Sequence, residues 1–171
     1  VEKHSGKAIL SDWESGTSVR NNELSLIFKT AGKVDVLAMD ACLMQTIEVA
    51  YELKNSVKVI TASEETEPSA GYEYTILAKK LTENPTADAV KLGKLIIKAC
   101  KEAGPADKMP THSAIITSQV RKVATAIVNL EKAIKKASKK DPEIIKTFEK
   151  IRIAIPKYDA GQTDLSYLAK T

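Results

Sequence analysis

Two kinds of apolar pattern divide the chain. Residues 34–39, Val-Asp-Val-Leu-Ala-Met, form a short β-favouring run after the turn-like Ala31-Gly32-Lys33, and residues 57–62, Val-Lys-Val-Ile-Thr-Ala, form a second. Such runs suit strands buried on both faces. Between them, Leu43, Ile47, Ala50 and Tyr51 recur at helical spacing, which predicts a helix over 43–54. Strand, helix, strand with a short crossover implies parallel pairing and an α/β fold, right-handed by default. Leu24, Ile27 and Phe28 predict a helix over 22–29, ahead of this unit.

Downstream, helical spacing dominates. Helices are predicted over 74–81, ended by Asn84-Pro85, and over 86–101, where Ala89, Leu92, Ile96 and Cys100 share a stripe that Gly104-Pro105 closes. Residues 113–117, Ser-Ala-Ile-Ile-Thr, predict a third strand. Val120, Val123, Ile127, Leu130 and Ile134 predict a long amphipathic helix over 119–137. Asp141-Pro142 opens another, with Asp as N-cap and Pro in the first turn. The lysines of 135–140 suit a solvated helix end favoured by the dipole.

Composition narrows the function classes. At 171 residues, 43% hydrophobic and 28% charged, the chain can bury a packed core. The net charge of +4 and 5% aromatics speak against a nucleic-acid partner, and no run approaches the roughly 20 apolar residues of a membrane helix. Two cysteines and two histidines are too few for a disulfide scaffold, a structural zinc site or a multi-histidine metal centre. They do meet the minimal inventory for cysteine catalysis, a thiol and an imidazole.

The chemistry concentrates in Asp40-Ala41-Cys42-Leu43-Met44, where the 34–39 strand passes into the helix predicted over 43–54. Catalytic groups of α/β sheets gather at the carboxyl ends of strands. A thiol at a helix N-terminus there would see the dipole and unpaired amides, which favour thiolate. Cys42 reads equally well as a small buried hydrophobe, and position alone does not separate the two. Asp40 leaves the same face as Cys42 if the segment is extended, so its carboxylate can floor a pocket for a cationic side chain; the residues alone favour the competing role, a cap on the helix. Cys100, on the apolar stripe, reads as core.

Residues 34–74 resemble the core of the clostripain-like cysteine peptidases. The resemblance rests on the apolar strand, Asp-Ala-Cys-Leu-Met (40–44), Glu-Val-Ala-Tyr-Glu-Leu (48–53), Ala-Ser-Glu-Glu with Glu67-Pro68, and Gly-Tyr-Glu-Tyr (71–74), in order and at the right spacing. It continues more weakly through Thr111-His112-Ser113 to the region of Tyr167. The resemblance implies a caspase-like three-layer fold, a mainly parallel sheet flanked by helices. It further implies Cys42 as nucleophile, His4 as its partner in a Cys-His dyad, and cleavage after Arg or Lys selected by Asp40, with Ser63 and Glu64 at the substrate cleft. His112 is read as making structural hydrogen bonds. Ser5 and Gln45 depart from the family pattern, Ser5 standing where glycine usually follows the histidine.

The expected reaction needs no cofactor, and calcium is a candidate ligand of the acidic loop Glu64, Glu65 and Glu67. The expected partner is a peptide or protein substrate, not nucleic acid or membrane, and the resemblance favours a secreted or cell-envelope location. Residues 1–171 are read as one partial peptidase domain, with a catalytic core at 34–74 and a helix-rich part at 86–171. Val at position 1 and the short stretch before His4 lead to the expectation that earlier strands lie upstream and would complete the sheet. An inactive homologue that binds basic peptides is the alternative function, and a polyanion-binding surface at Lys135–Lys140 is a weaker one.

Overall fold

The computed structural model describes residues 8–68, 71–103, 111–155, 157–158 and 163–165, so His4 lies outside the described residues. The chain divides into two compact units, 1–120 and 121–171. The first contains an antiparallel hairpin, β1 (Ala8–Asp12) and β2 (Thr17–Arg20), which the apolar pattern did not announce. Its turn is closed locally: the Asp12 carboxylate accepts bonds from the Glu14 N–H at 3.0 Å and the Ser15 hydroxyl at 2.6 Å. Helix α1 (Asn21–Ala31) follows directly, with the Arg20 N–H bonded to Glu23 Oε2 at 2.7 Å.

Strand β3 (Val34–Ala38), helix α2 (Ile47–Leu53) and strand β4 (Val57–Ser63) form the expected parallel unit, with Val36 opposite Val59. Strand β5 (His112–Ile116) pairs with the other side of β4, and the sheet order is β3-β4-β5. This second pairing is antiparallel, placing Ser63 opposite His112. The described sheet is therefore half parallel and half antiparallel. Central β4 is buried at every position but Lys58, as a strand covered on both faces must be.

Alternation along the strands sends successive side chains into two cores. Met39, Ile60 and Ala62 join Leu24 of α1 and Val49, Ala50 and Leu53 of α2 in one cluster. On the opposite face Val36 meets Tyr72, Leu77 from α3 (Tyr74–Thr82), and Leu92, Ile96 and Cys100 from α4 (Ala89–Glu102). Helices thus lie on both faces of the sheet, in three layers. The approach of α4 depends on Gly93: a Cβ there would sit 2.8 Å from Val59 Cγ1, too close for any side chain without a shift. Helix α4 starts at Ala89, later than its apolar pattern suggests, because Asp88 caps it by accepting the Lys91 N–H at 2.7 Å.

The second unit contains helix α6 (Glu143–Ala154) and all but the first residue of α5 (Val120–Ser138). The N-cap of α6 is Pro142 rather than Asp141, and Asp141, one residue earlier, accepts the Glu143 N–H on its Oδ1 at 3.0 Å. Lys135, in the basic run, pairs with Glu131 one turn earlier. Among the described residues no helix is long and apolar enough to cross a membrane.

Candidate active site

The carboxyl ends of β3 and β4 are laced together by their backbones. Met39 N–H bonds to Thr61 O at 2.9 Å, Leu43 N–H to Glu65 O at 3.1 Å, and Gln45 N–H to Ser63 O at 2.9 Å. Leu43 has a φ of 62°, a left-handed conformation that breaks any right-handed helix passing through it. Thr46 then caps α2, its hydroxyl accepting the Val49 N–H at 3.3 Å. The helix predicted from residue 43 therefore begins at Ile47. Cys42 is in an extended-to-turn segment rather than in the first helical turn.

What reaches the thiol is a backbone donor. Cys42 is exposed, and the Glu67 N–H bonds to its Sγ at 3.1 Å. Asp40 is likewise not the cap of α2. Its Oδ2 accepts the Tyr72 N–H at 2.9 Å and the Tyr74 hydroxyl at 2.8 Å, and the latter bond holds the Tyr74 phenol above its ordinary pKa. Gly71 makes this contact feasible: a Cβ there would collide with Asp40 Oδ2, and its φ of +66° suits glycine. Both described bonds fall on one carboxylate oxygen, and Asp40 as a whole is exposed.

Ser63 is buried, and its hydroxyl is taken up by Thr111 Oγ1 at 2.8 Å and by the Glu65 N–H at 3.1 Å. That arrangement holds the 63–68 loop and leaves the hydroxyl turned from solvent. Glu64 is half-buried on the same loop. Among the described residues no group of three or more His, Cys, Asp or Glu side chains is placed to hold a metal ion. Glu67, counted with the acidic loop in the sequence, turns inward instead.

Its partner is His112, whose side chain is fully buried while that of Glu67 is 5% exposed. Nδ1 lies 2.9 Å from Glu67 Oε1, an ion-pair distance without hydrogen-bond alignment. Nε2 lies 2.6 Å from the Tyr72 hydroxyl, and the two rings meet edge to face. The Tyr72 hydroxyl also bonds to Met39 O at 2.9 Å, and burial pushes its phenol well above the ordinary range. These are the structural bonds expected of His112, but their reach to Glu67 and the cysteine loop was not visible: the three residues are separated in sequence and joined only by the antiparallel β5. Gln45 strengthens the same junction, its amide donating to Ser113 O at 2.7 Å and Ser113 Oγ at 3.0 Å.

The profile of the Clostripain family matches residues 2–169. The chain belongs to the clostripain family. Solved structures with a similar fold include a cysteine protease of B. fragilis, 17% identical with TM-score 0.53, where the match covers 67% of this chain and 50% of that one. A clostripain from Bacteroides thetaiotaomicron in complex with a peptide inhibitor is 17% identical with TM-score 0.54, covering 68% of this chain and 51% of that one. A secreted C11 cysteine protease from the same organism, in complex with an irreversible peptide inhibitor, is 21% identical with TM-score 0.54, covering 67% and 36%. At these identities the likeness speaks to the fold, which is the α/β fold of the clostripain-family proteases. The chain thus spans about half, or less, of the length of these structures. No curated protein matches the sequence.

Proposed function

We propose that this clostripain-family chain carries the nucleophile of a cysteine endopeptidase that cleaves after Arg or Lys. The carrying observation is the junction itself: an exposed Cys42 with a backbone N–H on its sulfur, two residues from a carboxylate held through one oxygen, at the carboxyl end of a parallel strand. The Cys42 thiolate attacks the scissile carbonyl carbon, and backbone amides stabilise the resulting oxyanion. His4, the partner implied by the resemblance, gives its proton to the leaving amine as the tetrahedral intermediate collapses to a thioester. Water then adds to the thioester carbonyl, releasing the carboxylic acid and restoring the thiol.

Asp40 selects the residue before the scissile bond, and a guanidinium fork suits a carboxylate better than a lysine ammonium where both oxygens are reached. Glu64 borders the cleft, while Ser63 acts by fixing the loop through Thr111. The substrate is a peptide or protein, and the reaction draws on no cofactor. A location outside the cytoplasm follows the secreted relative and belongs to the same proposal.

Labelling with an arginyl chloromethyl ketone, followed by peptide mass mapping, tests the reading. Alkylation of Cys42 that excess arginine peptide suppresses is the expected result. Labelling confined to Cys100 would reject it, and binding of basic peptides with no turnover, unchanged by Cys42→Ala, would assign the cleft to recognition alone.

A further inference from the structure

Cys42 has acidic residues on its own segment and on the loop bonded to that segment. Asp40 stands two residues before it on the same segment, and Glu64, Glu65 and Glu67 lie on the loop laced to that segment. The helix that follows Cys42 begins only at Ile47. Among the described residues, Tyr72 and Tyr74 come from the neighbouring 71–74 segment, and His112 of β5 is engaged behind Glu67. Among the described residues, the hydrogen bond made to the sulfur is the one from the Glu67 N–H.

That amide is not free to wander, because the side chain of the same residue is buried against His112. The contacts close a ring: Cys42 to the Glu67 backbone, the Glu67 side chain to His112, His112 to the Tyr72 hydroxyl, and the Tyr72 backbone to Asp40, two residues from Cys42. The Tyr72 hydroxyl carries one proton and cannot donate it to both Met39 O and His112 Nε2, so one of these short contacts draws its hydrogen from the imidazole or goes without. The ring is thereby tied to β3 and β5 at once.

We propose that Glu67 and His112 are positioning residues for Cys42: their buried pair fixes the 63–68 loop so that the Glu67 N–H stays on the sulfur and stabilises the thiolate. The proposal deepens the assignment of Cys42 as nucleophile and rests on that assignment for its purpose. Its physical content does not depend on peptidase activity.

The test follows iodoacetamide alkylation of the Cys42 peptide by mass as a function of pH, in the full chain and in the Glu67→Gln and His112→Asn variants. The rate midpoint should rise by about one pH unit in each variant, as expected when a hydrogen bond to the charged form is lost. The double variant should rise no further than the larger single one, since the two side chains act as a unit. The sign discriminates. If Glu67 acted only through its charge, Glu67→Gln would remove a carboxylate and lower the midpoint, and a lowered or unchanged midpoint in that variant overturns the proposal. Should the variants not fold, the unaltered chain decides: the Glu67 amide proton resonance should move with the Cys42 titration and lose that movement in Cys42→Ala, and an amide that ignores the thiol overturns the proposal. Because alkylation needs no peptide substrate, a chain that cleaves nothing can still support the positioning role, and an active one can still refute it.

Discussion

The two cysteines occupy opposite kinds of place in one small sheet. Cys42 lies at the carboxyl end of β3, exposed, with a backbone N–H on its sulfur and a carboxylate two residues away. Cys100 lies on the apolar face of α4 among Ile96 and Tyr72, 4% exposed, and burial pushes its thiol up to about 11. Both are unpaired thiols in a chain without disulfides among its described residues. What separates them is topology: a strand end must turn, leaving amides and side chains open to solvent, whereas the inner stripe of a helix on a sheet is filled by packing. The same atom is a candidate nucleophile in one place and a small hydrophobe in the other.

The sharpest way to test that contrast is to delete each sulfur. Cys42→Ala should lower kcat/KM for an arginine-containing peptide by at least about 10³-fold, while Cys100→Ala should leave it within about twofold. A comparable loss from both would erase the distinction. Next comes the carboxylate that only the first cysteine has. Asp40→Asn should lower kcat/KM for that peptide by roughly 10²-fold, with iodoacetamide still reaching Cys42, because a charge-assisted contact to the guanidinium is lost and the thiol remains. Unaltered selectivity for Arg would move the specificity carboxylate elsewhere.

The smallest effect belongs to the buried thiol. Cys100 is raised on folding, so between the ordinary 9.0 and about 11 the unfolded chain releases a proton that the folded chain keeps. The unfolded state then binds fewer protons, and stability falls as pH rises through that window. Denaturant midpoints at about pH 8 and about pH 10.5 should show a loss attributable to Cys100 of roughly 1–2 kcal/mol, read as the part that disappears in Cys100→Ala. The difference between the two proteins isolates this thiol from the buried Tyr72 phenol, which titrates in the same direction. Identical pH slopes would show that Cys100 is wetter than its packing indicates.

Sequence patterning accounts for the parallel unit because its signal is local. Apolar runs at 34–39 and 57–62 and a helical stripe between them record burial on two faces, and the structure has β3, α2 and β4 there. The start of α2 was misplaced by four residues for a reason equally local but unreadable: the left-handed Leu43 and the Thr46 cap yield to backbone bonds from residues 63 and 65, which the pattern of apolar positions does not encode. Strand β5 was legible as a strand, within one residue at each end, but its direction was not, since nothing in Ser-Ala-Ile-Ile-Thr says which way it runs beside β4.

The site divides along the same line. Asp40 and Cys42 are neighbours in the chain, so a strand end followed by Asp-Ala-Cys and the resemblance of the flanking segments were enough to single them out. Glu67, Tyr72 and His112 are not neighbours, and in the sequence they read as a charged loop, an aromatic turn and a lone histidine. The antiparallel docking of β5 brings His112 opposite Ser63, and only that register puts an imidazole behind the loop whose amide meets the sulfur. By itself the sequence determined which residues carry reactive groups and which faces are apolar, because both are properties of short stretches of chain. Which donor stands on the thiol, and what holds that donor still, was decided by the tertiary structure, because hydrogen bonds between strand ends depend on a pairing register set by the whole sheet.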